Sequence, residues 1–119
     1  MIEVKTRADG ERGLFATKSI NIGQILEEVH VIELPAQIRP CLDVHKIGDK
    51  FLAWKMLNGE VETLAIGAGS MMFCNHARKP NAYLDKRIHN QTVALLANQP
   101  ISVGDEITLN YVEPTNFKT

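Results

Sequence analysis

The side chains able to hold a metal or act as a nucleophile are few: His30, His45, His76, His89, Cys41 and Cys74. They form no Cys-x-x-Cys and no His-x-x-x-His pair, and Cys74-Asn75-His76 alone is not a structural zinc pattern, so no metal site is expected. Gly69-Ser70-Met71 lacks the glycine two residues after the serine that a nucleophile elbow requires. Cys74 and His76 are too close in sequence to face one another easily. Gly67-Ala68-Gly69 has no third glycine and no long helix after it. Gly10 and Gly13 are not followed by Lys-Ser or Lys-Thr, so phosphate loops are not expected either. Two features remain. Asn75 to Asn81 is a polar stretch set directly behind the apolar run Met71-Met72-Phe73-Cys74, and a plain surface loop does not explain an Asn-His pair in that position. Tyr111 ends an apolar-polar run near the C-terminus, where a buried hydroxyl needs a partner; an ordinary packed tyrosine fits there too.

The elements that must position these residues are short. Gly and Pro divide the chain into small pieces, which favours strands over long helices. Ile2 to Lys5 alternates as a half-buried strand. Asp9-Gly10 and Gly13 mark a turn before a strand at Leu14 to Thr17. Ile25 to Leu34 reads as one strand or as two joined by a bend, and Pro35 to Pro40 opens an irregular stretch. Lys50 to Leu57 and Val61 to Ile66 flank Asn58-Gly59, a strong two-residue hairpin signal. Met71 to Cys74 has room for one helical turn. Ala82 to Ile88 and Thr92 to Asn98 read as strands joined at His89-Asn90-Gln91. Val103 to Glu106 is a turn, and Ile107 to Tyr111 a closing strand.

Bulk properties narrow the function classes. The chain has 119 residues, enough for one domain, with 45% hydrophobic and 23% charged residues, which is ordinary for a globular fold. A formal net charge of −1 gives no support to direct nucleic-acid binding. No apolar run approaches the roughly 20 residues needed to cross a bilayer, and Met1 to Lys5 does not read as a signal peptide, so no membrane association is expected. Two cysteines do not make a disulfide framework; Cys41 and Cys74 read as reduced, partly buried thiols, and the protein is expected to stay where it is made.

Three blocks occur in an order that resembles the SET-domain protein lysine methyltransferases, in particular their short single-domain bacterial and viral members. Gly10-Glu11-Arg12-Gly13-Leu14-Phe15-Ala16 with Gly23 resembles the opening block. Leu64 to Ser70 followed by Asn75-His76-x-x-x-Pro80-Asn81 resembles the central one, and Gly104-Asp105-Glu106-Ile107-Thr108-Leu109-Asn110-Tyr111 the closing one. Departures are Glu11 in place of the first glycine, Met72 before Phe73, and Ala77 and Arg78 after Asn-His; no cysteine cluster follows Tyr111. The resemblance implies one SET-like domain over residues 1–119. It implies a mostly β fold of several small sheets with little helix, its C-terminal segment threaded under a loop as a pseudo-knot.

It further implies methyl transfer from S-adenosylmethionine to a lysine of a protein substrate such as a histone tail. Tyr111 would be the catalytic hydroxyl, and Phe73 and Tyr111 would line the lysine channel. Arg12, Gly13, Leu14, Asn75 and His76 would hold the cofactor. Phe117, the aromatic residue beyond Tyr111, is expected to fold back near the adenine in place of a lid, with a homodimer one way to complete the cover. Acidic positions such as Glu27, Glu28, Glu60 and Glu62 could attract a basic tail, or be no more than a solvated face. The expected location is the cytoplasm in a bacterium, or the nucleus or chromatin for a eukaryotic or viral protein. The departures at Ala77 and Arg78 also fit a SET-like module that binds peptide or cofactor without turnover, and a small structural β-protein is the third reading.

Overall fold

The computed structural model describes residues 1–44 and 50–110, and the backbone of residues 117–118. Strand β1 (Ile2–Thr6) pairs antiparallel with β2 (Arg12–Ala16), and β2 continues onto β9 (Glu106–Leu109) through Leu14↔Ile107 and Phe15↔Glu106. The two-residue strand β6 (Asn75–His76) lies parallel on the other side of β9, closing a four-stranded sheet in the order β1-β2-β9-β6.

The second sheet is built around β3 (Ile25–Pro35), which is one continuous strand of 11 residues. Its first half pairs with β8 (Thr92–Ala97), from Ile25↔Leu96 to His30↔Thr92, with a bulge between Ile25 and Glu27. Its second half pairs with β5 (Glu60–Gly67), from Val31↔Gly67 to Pro35↔Thr63. One strand thus joins two hairpins: β4 (Leu52–Leu57) with β5, and β7 (Ala82–Arg87) with β8. The segment β10 (Phe117–Lys118) pairs parallel with β7, giving the order β10-β7-β8-β3-β5-β4.

The sequence expectations for the strands hold with small shifts of boundary. Asn58 and Gly59 form the β4–β5 turn with φ of 53° and 80°, the left-handed pair that a two-residue hairpin needs. The stretch expected to be irregular after Pro35 is instead a 3-10 turn, Ala36–Ile38, running into helix α1 (Arg39–Val44). Pro40 conceals that helix in the sequence. Proline breaks a helix interior but is tolerated in the first turn, where its missing N–H would have had no partner.

The two sheets are stitched through Ile20 and Ile101, whose backbones exchange hydrogen bonds of 2.8 and 3.0 Å. Both side chains are buried, in one core with Leu14, Leu26, Trp54, Met71, Cys74, Val93, Leu95 and Ile107. Of the two cysteines expected to be partly buried, Cys74 is fully enclosed and Cys41 is exposed on α1. Burial pushes the Cys74 thiol up to about 12; the nearby Glu27 carboxylate pushes the same way, with Glu106 adding and Lys50 opposing.

Two outcomes follow from this frame. Gly59→Ala places a Cβ on a residue with φ of 80° and should cost about 1 kcal/mol in urea unfolding, with the m-value unchanged. Cys74 has a folded pKa raised above its reference value of 9.0, so the stability it contributes is full below about pH 9 and is lost as pH climbs toward 12. Accordingly iodoacetamide at pH 8 should label only Cys41 in the native protein and both cysteines in urea, as read by peptide mass spectrometry. Equal native labelling would show that the Cys74 environment opens.

Candidate functional site

The site begins at Asn75. Its backbone is fixed by parallel pairing of β6 with β9, Asn75↔Thr108 and His76↔Leu109, and the next residue extends this with Ala77 N–H donating to the Leu109 carbonyl at 2.8 Å. The side-chain Nδ2 donates twice, to the Arg12 carbonyl at 2.9 Å and to Glu106 Oε2 at 2.8 Å. Both partners accept only, so they settle which end of the amide is nitrogen. Oδ1 is therefore the end of the amide that faces neither of these acceptors.

Gly13 is needed where these residues converge. A Cβ there would lie 2.5 Å from Glu106 Oε2, 3.1 Å from Phe15 Cε1 and 3.2 Å from Asn75 Nδ2. Any side chain at position 13 would displace the carboxylate or the amide. Next to it the Arg12 guanidinium sits over the Phe73 ring, 4.4 Å from the centroid, a contact that joins β2 to the turn before Asn75. Arg7 Nη1 approaches Glu106 Oε2 at 3.5 Å and also pairs with Asp9. These ion pairs are partly exposed and contribute little stability. The bond from Asn75 to a charged carboxylate is the stronger and more directional element.

Two more asparagines brace β9. Asn81 Nδ2 donates to the Glu106 carbonyl at 2.9 Å, and its Oδ1 accepts from Thr108 N–H at 2.9 Å. Asn110 is buried and donates to the Arg78 carbonyl at 3.3 Å. Sequence reasoning assigned no role to Glu106, Asn81 or Arg7. Glu106 and Asn81 lie within the matched blocks, so a signal was present for them; Arg7 stands apart, and only the fold brings it near.

The turn that delivers Phe73 is a 3-10 helix, Ser70–Phe73. Gly67 and Gly69 let it approach β3 closely. A Cβ on Gly69 would lie 2.6 Å from Val29 Cγ1 and 3.0 Å from Glu27 Oε1, and one on Gly67 would lie 2.9 Å from Met71 Sδ. These glycines answer to crowding by neighbouring strands. The Glu27 carboxylate accepts from Ser70 N–H at 3.1 Å and Met71 N–H at 2.8 Å. Glu28 pairs with Arg87 at 2.7 Å and accepts from the Thr92 hydroxyl at 2.9 Å. Of the four acidic positions considered as attractors, Glu27 is engaged within the fold and the exposed Glu28 is paired with Arg87 and Thr92, while Glu60 and Glu62 are exposed at the β4–β5 hairpin.

The structure thus brings together Arg12, Gly13, Phe73 and Asn75. Leu14 is adjacent but enclosed, its side chain 0% exposed and its backbone paired between Val4 and Ile107. His76 is exposed at the end of β6. Tyr111, the expected catalytic hydroxyl, and the chain after Asn110 that would form the expected pseudo-knot lie outside the described residues. The backbone of Phe117 runs beside Leu84 of β7, and its side chain also lies outside them. Among the described residues no three His, Cys, Asp or Glu side chains are grouped to hold a metal ion.

The donor set suits an adenosyl amino acid. The Asn75 amide and the Arg12 guanidinium over the Phe73 ring are polar and aromatic groups of the kind that can meet the amine, carboxylate and adenine of such a ligand, with Gly13 buried behind them in β2. The SET domain family matches residues 11–112. No curated protein sequence matches the chain. Among solved structures, it superposes on a candidate histone methyltransferase of Plasmodium falciparum with a TM-score of 0.70 at 21% identity, covering 95% of this chain and 98% of that one. It also superposes on the Neurospora SET domain protein DIM-5, a histone lysine methyltransferase, with a TM-score of 0.72 at 18% identity. CpSET8 from Cryptosporidium gives a TM-score of 0.73 at 16% identity. The chain is covered to 94% in both of the latter and spans 52% and 57% of their lengths. At such identities these likenesses speak for the fold, and the mostly β arrangement of small sheets is theirs. With the family match spanning all three blocks and the site they form, the chain belongs to the SET domain family.

Proposed function

We propose that this chain transfers a methyl group from S-adenosylmethionine to the side-chain amine of a lysine in another protein. The observation that carries the reading is the convergence of the three blocks on one amide: Asn75 binds Arg12 of the first and Glu106 of the third, with Phe73 packed on Arg12 beside it. The cofactor, when bound, supplies a methyl group on a positively charged sulfur. The Arg12–Gly13 backbone and the Asn75 amide would hold its amino-acid and adenosyl parts, and Phe73 and Tyr111 would line the path for the lysine.

The chemistry asks little of acid or base groups. A lysine amine has a pKa of about 10.4 in water, and it must lose a proton before its lone pair can attack. A narrow apolar channel disfavours the ammonium, and a neighbouring cation pushes the same way. With the cofactor held by Arg12, Gly13 and Asn75, the neutral amine would displace its sulfur in line, a carbon–nitrogen bond replacing the carbon–sulfur bond, and the new ammonium would release its proton to water. Alignment supplies much of the rate in such a step. The Tyr111 hydroxyl is proposed to orient the amine.

The departures at Ala77 and Arg78 bear on the reading of a module that binds without turnover. Ala77 acts through its N–H to Leu109 and Arg78 through its carbonyl to Asn110, roles any non-proline residue can fill at 77 and any residue at 78. That favours an enzyme. The proposed substrate is a basic protein segment such as a histone tail, in keeping with relatives described as histone methyltransferases. A nuclear or chromatin site in a eukaryotic or viral setting, or the cytoplasm in a bacterium, is part of the same proposal, as is a homodimer that completes the cofactor cover.

The test is transfer of labelled methyl from S-adenosylmethionine to core histones and to a lysine-rich lysate, with the modified residue found by mass spectrometry. Two variants sharpen it. Asn75→Ala should weaken S-adenosylhomocysteine binding roughly tenfold by calorimetry, the loss of about one good polar contact; equal affinity removes Asn75 from the site. Tyr111→Phe should keep its thermal midpoint and lose most turnover, because only the hydroxyl is removed. A variant with wild-type turnover would make Tyr111 a packing residue.

A further inference from the structure

Resting on the methyl-transfer reading, the geometry points to Glu27 as a positioning residue for the lysine side of the reaction: its carboxylate fixes the 3-10 turn that sets Phe73 against Arg12. Four observations carry this. First, the alternation of β3 puts Glu27 on the same face as Val29 and Val31, which pack against the core. A half-buried carboxylate beside Val29 and Val31 needs partners, as Glu33 further along the same face has in Thr63 and Lys55. Second, both oxygens are used, one on Ser70 N–H and one on Met71 N–H. These are the first N–H groups of the turn; no side chain of its own caps it, because the residue before it is Gly69. Third, Gly69 is crowded by Glu27 and Val29 together, so the turn is held between a carboxylate and a wall. Fourth, Phe73 is the last residue of that turn, and Arg12 stacks on its ring.

Asn75 is anchored separately. Its backbone pairs with β9 and its amide is held by Arg12 and Glu106. Releasing the turn therefore frees Phe73 while Asn75 stays in place. This split gives the proposal a signature. Loss of Glu27 should affect turnover of the lysine substrate and leave cofactor affinity nearly unchanged, because Phe73 lines the proposed lysine path and Asn75 faces the proposed cofactor.

The test compares the full chain with Glu27→Ala and Glu27→Gln. Labelled S-adenosylmethionine and core histones report kcat and KM, and S-adenosylhomocysteine titration reports cofactor affinity. Glu27→Ala should lower kcat at least about tenfold with the S-adenosylhomocysteine Kd changed less than about twofold. Glu27→Gln keeps one acceptor and should recover part of the loss. Ile101→Ala is the stability control: at a matched loss of thermal midpoint it should retain turnover, since Ile101 lies in the stitch between the sheets. Amide exchange at Ser70 and Met71 and the nuclear Overhauser contact between Phe73 and Arg12 report the turn itself, whatever the turnover. Exchange should rise and the contact should fade in Glu27→Ala. Unchanged kcat, a persistent Phe73–Arg12 contact, or an equal fall in the Ile101→Ala control would each overturn the role of Glu27. A wild-type protein that transfers no methyl and binds no S-adenosylhomocysteine would instead overturn the methyl-transfer reading, and with it the catalytic part of this assignment.

Discussion

Two hydrogens on the Asn75 amide nitrogen hold three separate parts of the chain together. One goes to the carbonyl of Arg12, 63 residues away, and one to the carboxylate of Glu106, 31 residues away. An amide suits this place because it is neutral. A lysine here would bring a charge to be desolvated, whereas an amide accepts partial burial at the cost only of satisfying its polar atoms. Its two donors also point apart at a fixed angle, so they define positions on both β2 and β9. Gly13 completes the constraint: a Cβ at that residue would reach Glu106 at 2.5 Å and Asn75 at 3.2 Å, so the close fit depends on there being none.

Everything else in the fold works to bring these parts within reach. The four-stranded sheet supplies β2 and β9 side by side, and β6 joins it in parallel through only two residues. So short a strand has little pairing of its own, and Ala77 N–H, Asn81 and Asn110 extend it with further bonds to and around β9. The six-stranded sheet supplies the approach. Because β3 changes partner midway, from β8 to β5, the end of β5 at Gly67 emerges beside the core, and the chain can turn there directly into Ser70–Phe73. Gly69 permits that turn to lie against Val29 and Glu27, and Gly67 leaves room for the Met71 side chain. Backbone pairing between distant segments therefore does the positioning that helices do in other folds.

The strands were legible because their signals are local. Asn58-Gly59 announces a hairpin by its conformational freedom, and alternation in Ile2 to Lys5 announces a half-buried edge. Helix α1 was not, because Pro40 reads as a breaker unless its place in the first turn is already known. The candidate site was legible in part. Asn75 stood out through its place behind an apolar run, and the block resemblance named Arg12, Gly13 and Phe73, which lie beside it in the fold. The bonding pattern was not legible. Nothing in a row of letters says that Glu27 turns inward to Ser70 and Met71 while Glu28 turns to Arg87. Adjacent residues on a strand face opposite ways, and only the pairing of β3 with its neighbours decides which face is inward. The same blindness made all four acidic positions look alike.

The character of the site agrees with what the proposed methyl transfer would demand. An amine that is neutral at the moment of attack needs no strong base, so nothing in the arrangement has to carry a shifted pKa. The titratable group that the core perturbs most visibly, Cys74, is held as a thiol by burial, and its neighbours Glu27 and Glu106 are occupied in holding backbone and amide groups. What the reaction does demand is that two reactants lie in line, and a misplacement of about 1 Å can cost on the order of a hundredfold in rate. The Asn75 amide, the Glu27 carboxylate and the Arg12–Phe73 stack each remove a freedom of motion from the same few residues. They come from different strands: the Glu27 carboxylate and the Arg12–Phe73 stack act on the same turn, while the Asn75 amide is held separately by Arg12 and Glu106.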